Sequence, residues 1–169
     1  MHATLGVTHD VREPMWSFTH KVRDSMGTVT HKVRDARGSV IHKVRDARHS
    51  VMHDVRHNMQ IVIHEVKDAK WSVTHKVRDA TGIVTHEFRD ASWSVTDEVR
   101  YNRGSVTHNL RFTRGIVTHE DYDARGSVTH EFRNAKGSVT QELCDTMLCV
   151  TDEVRSTTGS ETHEVRDPR

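Results

Sequence analysis

Cysteine is scarce in this chain: Cys144 and Cys149 stand together in the stretch CDTMLC, too few and too close to make a disulfide framework or a thiolate zinc site. Proline occurs only at Pro14 and Pro168, and aromatics make up 5% of 169 residues. The three tryptophans, Trp16, Trp71 and Trp93, do not form a base-stacking set. Long apolar runs are missing as well. Nothing approaches the roughly eighteen residues of a membrane-spanning helix, and the opening MHATLGVTHD lacks the basic region and apolar stretch of a secretory signal. A soluble protein, cytoplasmic by default, is the expectation. Excess charge of one sign is also lacking: the net charge is +1, so nucleic acid is not an expected partner. With 34% hydrophobic and 29% charged residues, the core must be lean.

What the chain has is repetition. After a leader at 1–4, residues 5–169 divide without gaps into fifteen units of eleven, with the consensus G-S-V-T-H-[KE]-V-R-D-A-R. Numbering the slots from that glycine, slot three is apolar in every unit except at Glu161, and slot seven in every unit except at Asp121. Slot five is histidine in twelve units, the exceptions being Asp97, Gln141 and Asp152. Slot six drifts from lysine (Lys21, Lys32, Lys43) to glutamate (Glu120, Glu131, Glu142). The substitutions at slots two and eleven are mostly single base changes from one serine codon and one arginine codon. The pattern resembles drift in a tandemly duplicated 33-base DNA repeat, and no break divides the array into domains.

Two periodicities compete for this unit. Slots three, seven and ten average 3.67 residues per turn, the spacing of a right-handed coiled coil. Against that helix stand a glycine in the consensus, costing about 1 kcal/mol relative to alanine, and a majority of poor helix formers. As a strand, SVTHEVR places Val, His and Val of slots three, five and seven on one face and Ser, Thr, Lys or Glu, and Arg on the other. DARG then reads as a type I turn with a left-handed glycine at its end. A four-residue loop sets slot three against slot seven and slot five against slot five, so every valine meets a valine. The predicted fold is therefore an all-β tandem-repeat array of strand plus turn. It is either a meander or a flattened β-solenoid of two units per coil with the Val-His-Val face inside. A right-handed coiled coil and a largely disordered chain are the competing readings.

The histidine column is the most suggestive chemistry. In a meander His31 lies opposite His42 and His42 opposite His53, about 4.5–5.5 Å apart at Cα. Continued through His64, His75 and His86, such a ladder offers pairs of imidazoles to zinc or copper and titrates near pH 6.5 when unperturbed. Imidazole pairs alone do not define a zinc centre, and a founding histidine copied with its repeat is the plainer account of the column. Ser, His and Asp recur at slots two, five and nine, but a strand points slots two and five to opposite faces, and no nucleophile elbow is present. THEVRD begins like a zincin motif without its second histidine. The slot-eight arginines read as a solvated stripe with lysine or glutamate against threonine across strands. No catalytic residue and no cofactor is assigned. The expected role is that of a non-enzymatic tandem-repeat protein, structural or interaction-based at most, with self-association compatible with its strands. The alternative is a metal- or pH-responsive histidine array.

Overall fold

The computed structural model describes residues 6–111, 113–122, 125–133, 136–144, 147–155 and 158–166. The leader at 1–4 and Pro168 lie outside the described residues. Fourteen strands follow one another: β1 Gly6–Arg12, β2 Phe18–Arg23, β3 Thr28–Arg34, β4 Val40–Arg45, β5 Val51–Asn58, β6 Ile61–Lys67, β7 Ser72–Arg89, β8 Ser92–Arg100, β9 Arg103–Arg111, β10 Arg114–Tyr122, β11 Arg125–Arg133, β12 Lys136–Cys144, β13 Met147–Arg155 and β14 Thr158–Arg166. The long β7 covers two units and bends between them. Among the described residues no helix is long and apolar enough to cross a membrane.

The array is a β-solenoid of about seven coils. Alternate units form two parallel sheets. One runs β1, β3, β5, the first half of β7, β8, β10, β12 and β14, and the other β2, β4, β6, the second half of β7, β9, β11 and β13. Each residue is paired with the one twenty-two positions on, slot upon slot: Val29 with Val51, His31 with His53, Val33 with Val55. Of the two arrangements expected of the strand-and-turn unit, the solenoid is the one formed. Successive units are not hydrogen-bonded neighbours as in a meander; they face each other across the interior.

That interior follows from alternation. Slots three, five and seven point inward from both sheets, and the two runs within a coil are antiparallel, so slot three of one meets slot seven of the other. Val29, Val51 and Val73 pack with Val44, Val66 and Phe88 along one margin of the core. Val33, Val55 and Val77 pack with Val40, Val62 and Val84 along the other. The histidines run between these two apolar margins.

The turn differs from the expected one. Through the first nine units the left-handed residue is at slot nine, with Asp35 at φ 55°, Asp46 at 54° and Tyr101 at 54°. Short polar residues that bond locally tolerate this conformation better than most, which suits the consensus aspartate. Trp16, His49, Gln60 and Trp71 in slot one therefore escape the positive φ that a DARG hairpin would impose on them. The chain turns a corner rather than a hairpin, and the corner stays in the ladder: Asp35 N–H donates to the Arg56 carbonyl at 3.0 Å and Arg37 N–H to the Pro14 carbonyl at 3.1 Å. Slot ten then points inward, and Ala36, Ala47, Ala69, Ala80 and Ala91 are buried. Slot ten, expected within the four-residue turn, fills the end of the core instead.

The outer faces carry ladders of like slot on like slot. Lys43 and Glu65 pair at 2.6 Å, and Lys67 closes on the same carboxylate at 2.6 Å. Burial pushes Glu65 up, but the two ammonium groups outweigh it and hold its carboxyl at about 2. Lys76 and Glu98 repeat the arrangement at 2.8 Å. Among the described residues slot six is paired with slot six of the next coil, as Lys43 with Glu65 and Lys76 with Glu98, and not with the threonine that a meander would set against it.

Phe88 is wholly buried among valines of the first margin. Phe88→Ala should cost about 3–5 kcal/mol, from lost burial and the cavity left behind. The fall appears as a lower urea midpoint at unchanged slope.

Candidate functional site: two interleaved histidine columns

Stacking slot on slot converts the histidine of each unit into two columns. His31, His53 and His75 line up in one sheet and His42, His64 and His86 in the other. All six imidazoles are at most 1% exposed. Within a column the rings stack nearly parallel, His31 on His53 at 4.9 Å and 2°, His42 on His64 at 5.2 Å and 2°. Between columns they meet tilted or edge-on at similar separations, with His31 to His42 at 4.5 Å and His64 to His75 at 4.4 Å. The imidazoles thus meet as trios drawn from both sheets, not as the pairs of a meander. His31, His42 and His53 form one such trio, and His53, His64 and His75 another, each with ligand atoms within 4.8 Å of one another.

A neutral imidazole carries one donor and one acceptor, and both normally find partners when buried. Here they largely do not. His20 Nδ1 and His31 Nε2 share a hydrogen bond at 2.6 Å. Both ring nitrogens of His42, His53, His64, His75 and His86 have no hydrogen-bond partner. Each buried, unpaired polar atom costs roughly 1–3 kcal/mol, so the column opposes folding where valine would favour it. Removal from water, followed by repulsion from neighbouring histidines, lowers His31 to about 3 and His42 to about 2. The same causes lower His53 and His64 well below the ordinary range.

The column changes character where unit nine carries Asp97 in slot five. Asp97 is wholly buried between His75 and His119 in its own sheet, facing His86 and His108 of the other. Its Oδ1 lies 3.5 Å from His75 Nδ1 and 3.1 Å from His86 Nδ1. Its Oδ2 lies 3.1 Å from His108 Nδ1 and 3.3 Å from His119 Nδ1. A second buried carboxylate, Asp121, breaks the valine margin and reaches His108 Nε2 at 3.6 Å and His130 Nε2 at 3.4 Å. Burial opposes charge on His108, but Asp121 and Asp97 outweigh it and raise its pKa to about 10. Burial likewise opposes ionisation of Asp97, which His86 and His108 outweigh, holding its carboxyl well below the usual range.

The chain matches no family model, no curated protein and no solved structure.

The histidines singled out from the repeat, His31 through His86, are brought together in one continuous interior. Asp97 and Asp121 escaped notice because each reads, unit by unit, as an exception. The register of twenty-two would have found Asp97, since it sets that carboxylate directly between His75 and His119.

Proposed function

We propose that this chain is a non-enzymatic structural or interaction element that associates with further copies of itself end to end. The supporting observation is the strict stacking of slot on slot combined with one-sided pairing at the terminal coils. Among the described residues β1 and β2 are hydrogen-bonded only to β3 and β4, and β13 and β14 only to β11 and β12. An open parallel edge is a template for another strand. A second copy presents the same slots in the same order, so one end of the solenoid complements the other.

The chemistry-bearing residues support a non-catalytic role. The slot-five histidines from His31 to His130 and Asp97 are sealed between the sheets, whereas Ser50 and Ser72 bond to each other at 2.8 Å on the outside, away from His53 and His75. Among the described residues no repeat unit assembles its serine, histidine and aspartate into one site.

Sedimentation velocity over a hundredfold range of concentration tests the association. The proposal expects species that lengthen with concentration, and a variant with Thr8→Pro and Glu161→Pro that stays monomeric, because at each end proline removes a backbone donor aimed away from the stack. A wild-type chain that is monomeric throughout overturns it.

A second reading, a metal-binding histidine array, is favoured by the unpartnered nitrogens of His42, His53, His64, His75 and His86. Imidazole suits zinc and copper. At the all-histidine trios a singly charged copper ion fits better than zinc, because three neutral ligands leave a dication uncompensated in a dry interior.

A further inference from the structure

We propose that Asp97, His75 and His86 form a binding centre for a divalent late first-row cation, zinc by donor type and charge, which the chain takes up as it folds. The inference rests on the histidine-array reading and gives it a location and a ligand class.

Three observations converge on this point in the column. The first is spacing. Tetrahedral zinc with bonds near 2.0–2.1 Å separates its ligand atoms by about 3.3 Å. The Asp97 Oδ1 distances of 3.5 Å to His75 Nδ1 and 3.1 Å to His86 Nδ1 bracket that edge. The three donor atoms all lie within 4.8 Å of one another.

The second is saturation. Asp97 Oδ2 is hydrogen-bonded by His108, which fixes the carboxylate from behind, as outer partners commonly fix metal ligands. Asp97 Oδ1 lies 3.1 Å from His86 Nδ1 and 3.5 Å from His75 Nδ1 without the alignment of a good hydrogen bond to either, and no other group bonds the ring nitrogens of His75 or His86. Three wholly buried donor atoms thus face one another with nothing between them to satisfy. A cation satisfies all three together. A hydrogen bond from one imidazole would satisfy one pair and leave the third.

The third is charge. A dication among the imidazoles of His31, His42 and His53 would meet no opposite charge. At Asp97 it meets one carboxylate directly, and Asp121, also wholly buried, adds a second in the adjoining coil. Two carboxylates against the single imidazolium of His108 leave net negative charge in a low-dielectric interior, which makes this the part of the column where a doubly charged ion costs least. Three protein donors of histidine and carboxylate type are also the ligand set of zinc centres that keep a fourth, exchangeable position. Because the donors are sealed, the ion must enter during folding, so uptake and folding are coupled.

The test is refolding of the full chain with Co²⁺ as a spectroscopic stand-in for zinc, followed by gel filtration and metal analysis. The expected result is retained Co²⁺ at about one per chain, visible absorption of a tetrahedral nitrogen and oxygen site, and loss of that absorption when Zn²⁺ is present with Co²⁺ during refolding. Asp97→His restores the residue that slot five holds in twelve units, and so keeps the repeat while removing the carboxylate. Asp97→Asn keeps the shape. Both variants, with folding checked by circular dichroism, should bind Co²⁺ at least tenfold more weakly. Failure of the wild-type chain to retain metal overturns this centre and the histidine-array reading together. Retention by Asp97→His at wild-type affinity and with an unchanged spectrum overturns the carboxylate centre alone and leaves the array standing.

Discussion

Lowering the pH from 7.5 to 5 should unfold the solenoid. Burial and mutual repulsion hold His31 at about 3 and His42 at about 2, and hold His53, His64, His75 and His119 well below the ordinary value of 6.5. These groups stay neutral in the folded chain, while the unfolded chain binds protons as the pH falls through 6.5. The folded state therefore loses stability below that point, whereas above it the histidines contribute no pH dependence. At pH 5 each such histidine shifts the balance by about 2 kcal/mol. Six of them amount to roughly 12 kcal/mol, as large as the whole stability of an ordinary domain. Groups of opposite behaviour change little in this window. The raised His108 loses its contribution from pH 6.5 up to its pKa of about 10, so between pH 7.5 and 5 it adds back only about 1.4 kcal/mol, and the depressed Asp97 loses its own only below the ordinary carboxylate range. Far-UV circular dichroism should show the strand signal lost between about pH 6 and 5. Replacing His53 and His64 with leucine should move that midpoint to lower pH, because two proton-binding sites disappear from the unfolded chain while apolar side chains fill the core.

Gly104→Val should disrupt the stack as severely as any single substitution. Gly104 has a φ of +143°, and a Cβ placed on it would lie 2.0 Å from the carbonyl oxygen of Gly82 and 2.8 Å from its carbon. Both neighbours are backbone one coil away, so no side chain can swing aside. A β-branched residue is further disfavoured at that φ. The coil must separate from the one before it, breaking the ladder between the second half of β7 and β9. The expected loss exceeds about 3 kcal/mol, read as a lower urea midpoint. Gly6→Ala is the contrasting case: its Cβ would lie 3.4 Å from the Thr28 carbonyl oxygen, an ordinary contact, and stability should change by less than about 1 kcal/mol.

Much of this was legible in the repeat, and the reason is parity. Valine at slots three and seven with histidine between them needs a period of two, and the four residues between strands preserve the inward face from one unit to the next. Both sides of the solenoid follow. The partner of each strand did not, because valine meets valine equally well across a hairpin ladder and across a solenoid core. Closing the chain every twenty-two residues buries the Val-His-Val face of both units, and a flat meander does not. The role of alanine in slot ten was hidden for a related reason: Asp-Ala-Arg-Gly reads as a surface turn until a left-handed aspartate, as at Asp35 and Asp46, directs the next side chain inward. Asp97 and Asp121 were visible only as departures from a consensus. Their meaning depends on which histidines lie above, below and opposite, and that is a property of the register.

The register is also what a single distance can decide. Arg45 and Arg133 occupy slot eight of the same sheet, 88 residues apart in sequence and outside the core. With Arg45→Cys and Arg133→Cys spin-labelled, and the two native cysteines replaced by serine, pulsed electron paramagnetic resonance measures their separation. Four coils at the usual strand spacing predict a backbone separation of about 19 Å. A value near 38 Å, the span of eight strands side by side, would contradict the solenoid in favour of a meander. A separation beyond reach of the method, as for a continuous helix of about 130 Å, would contradict the strands themselves.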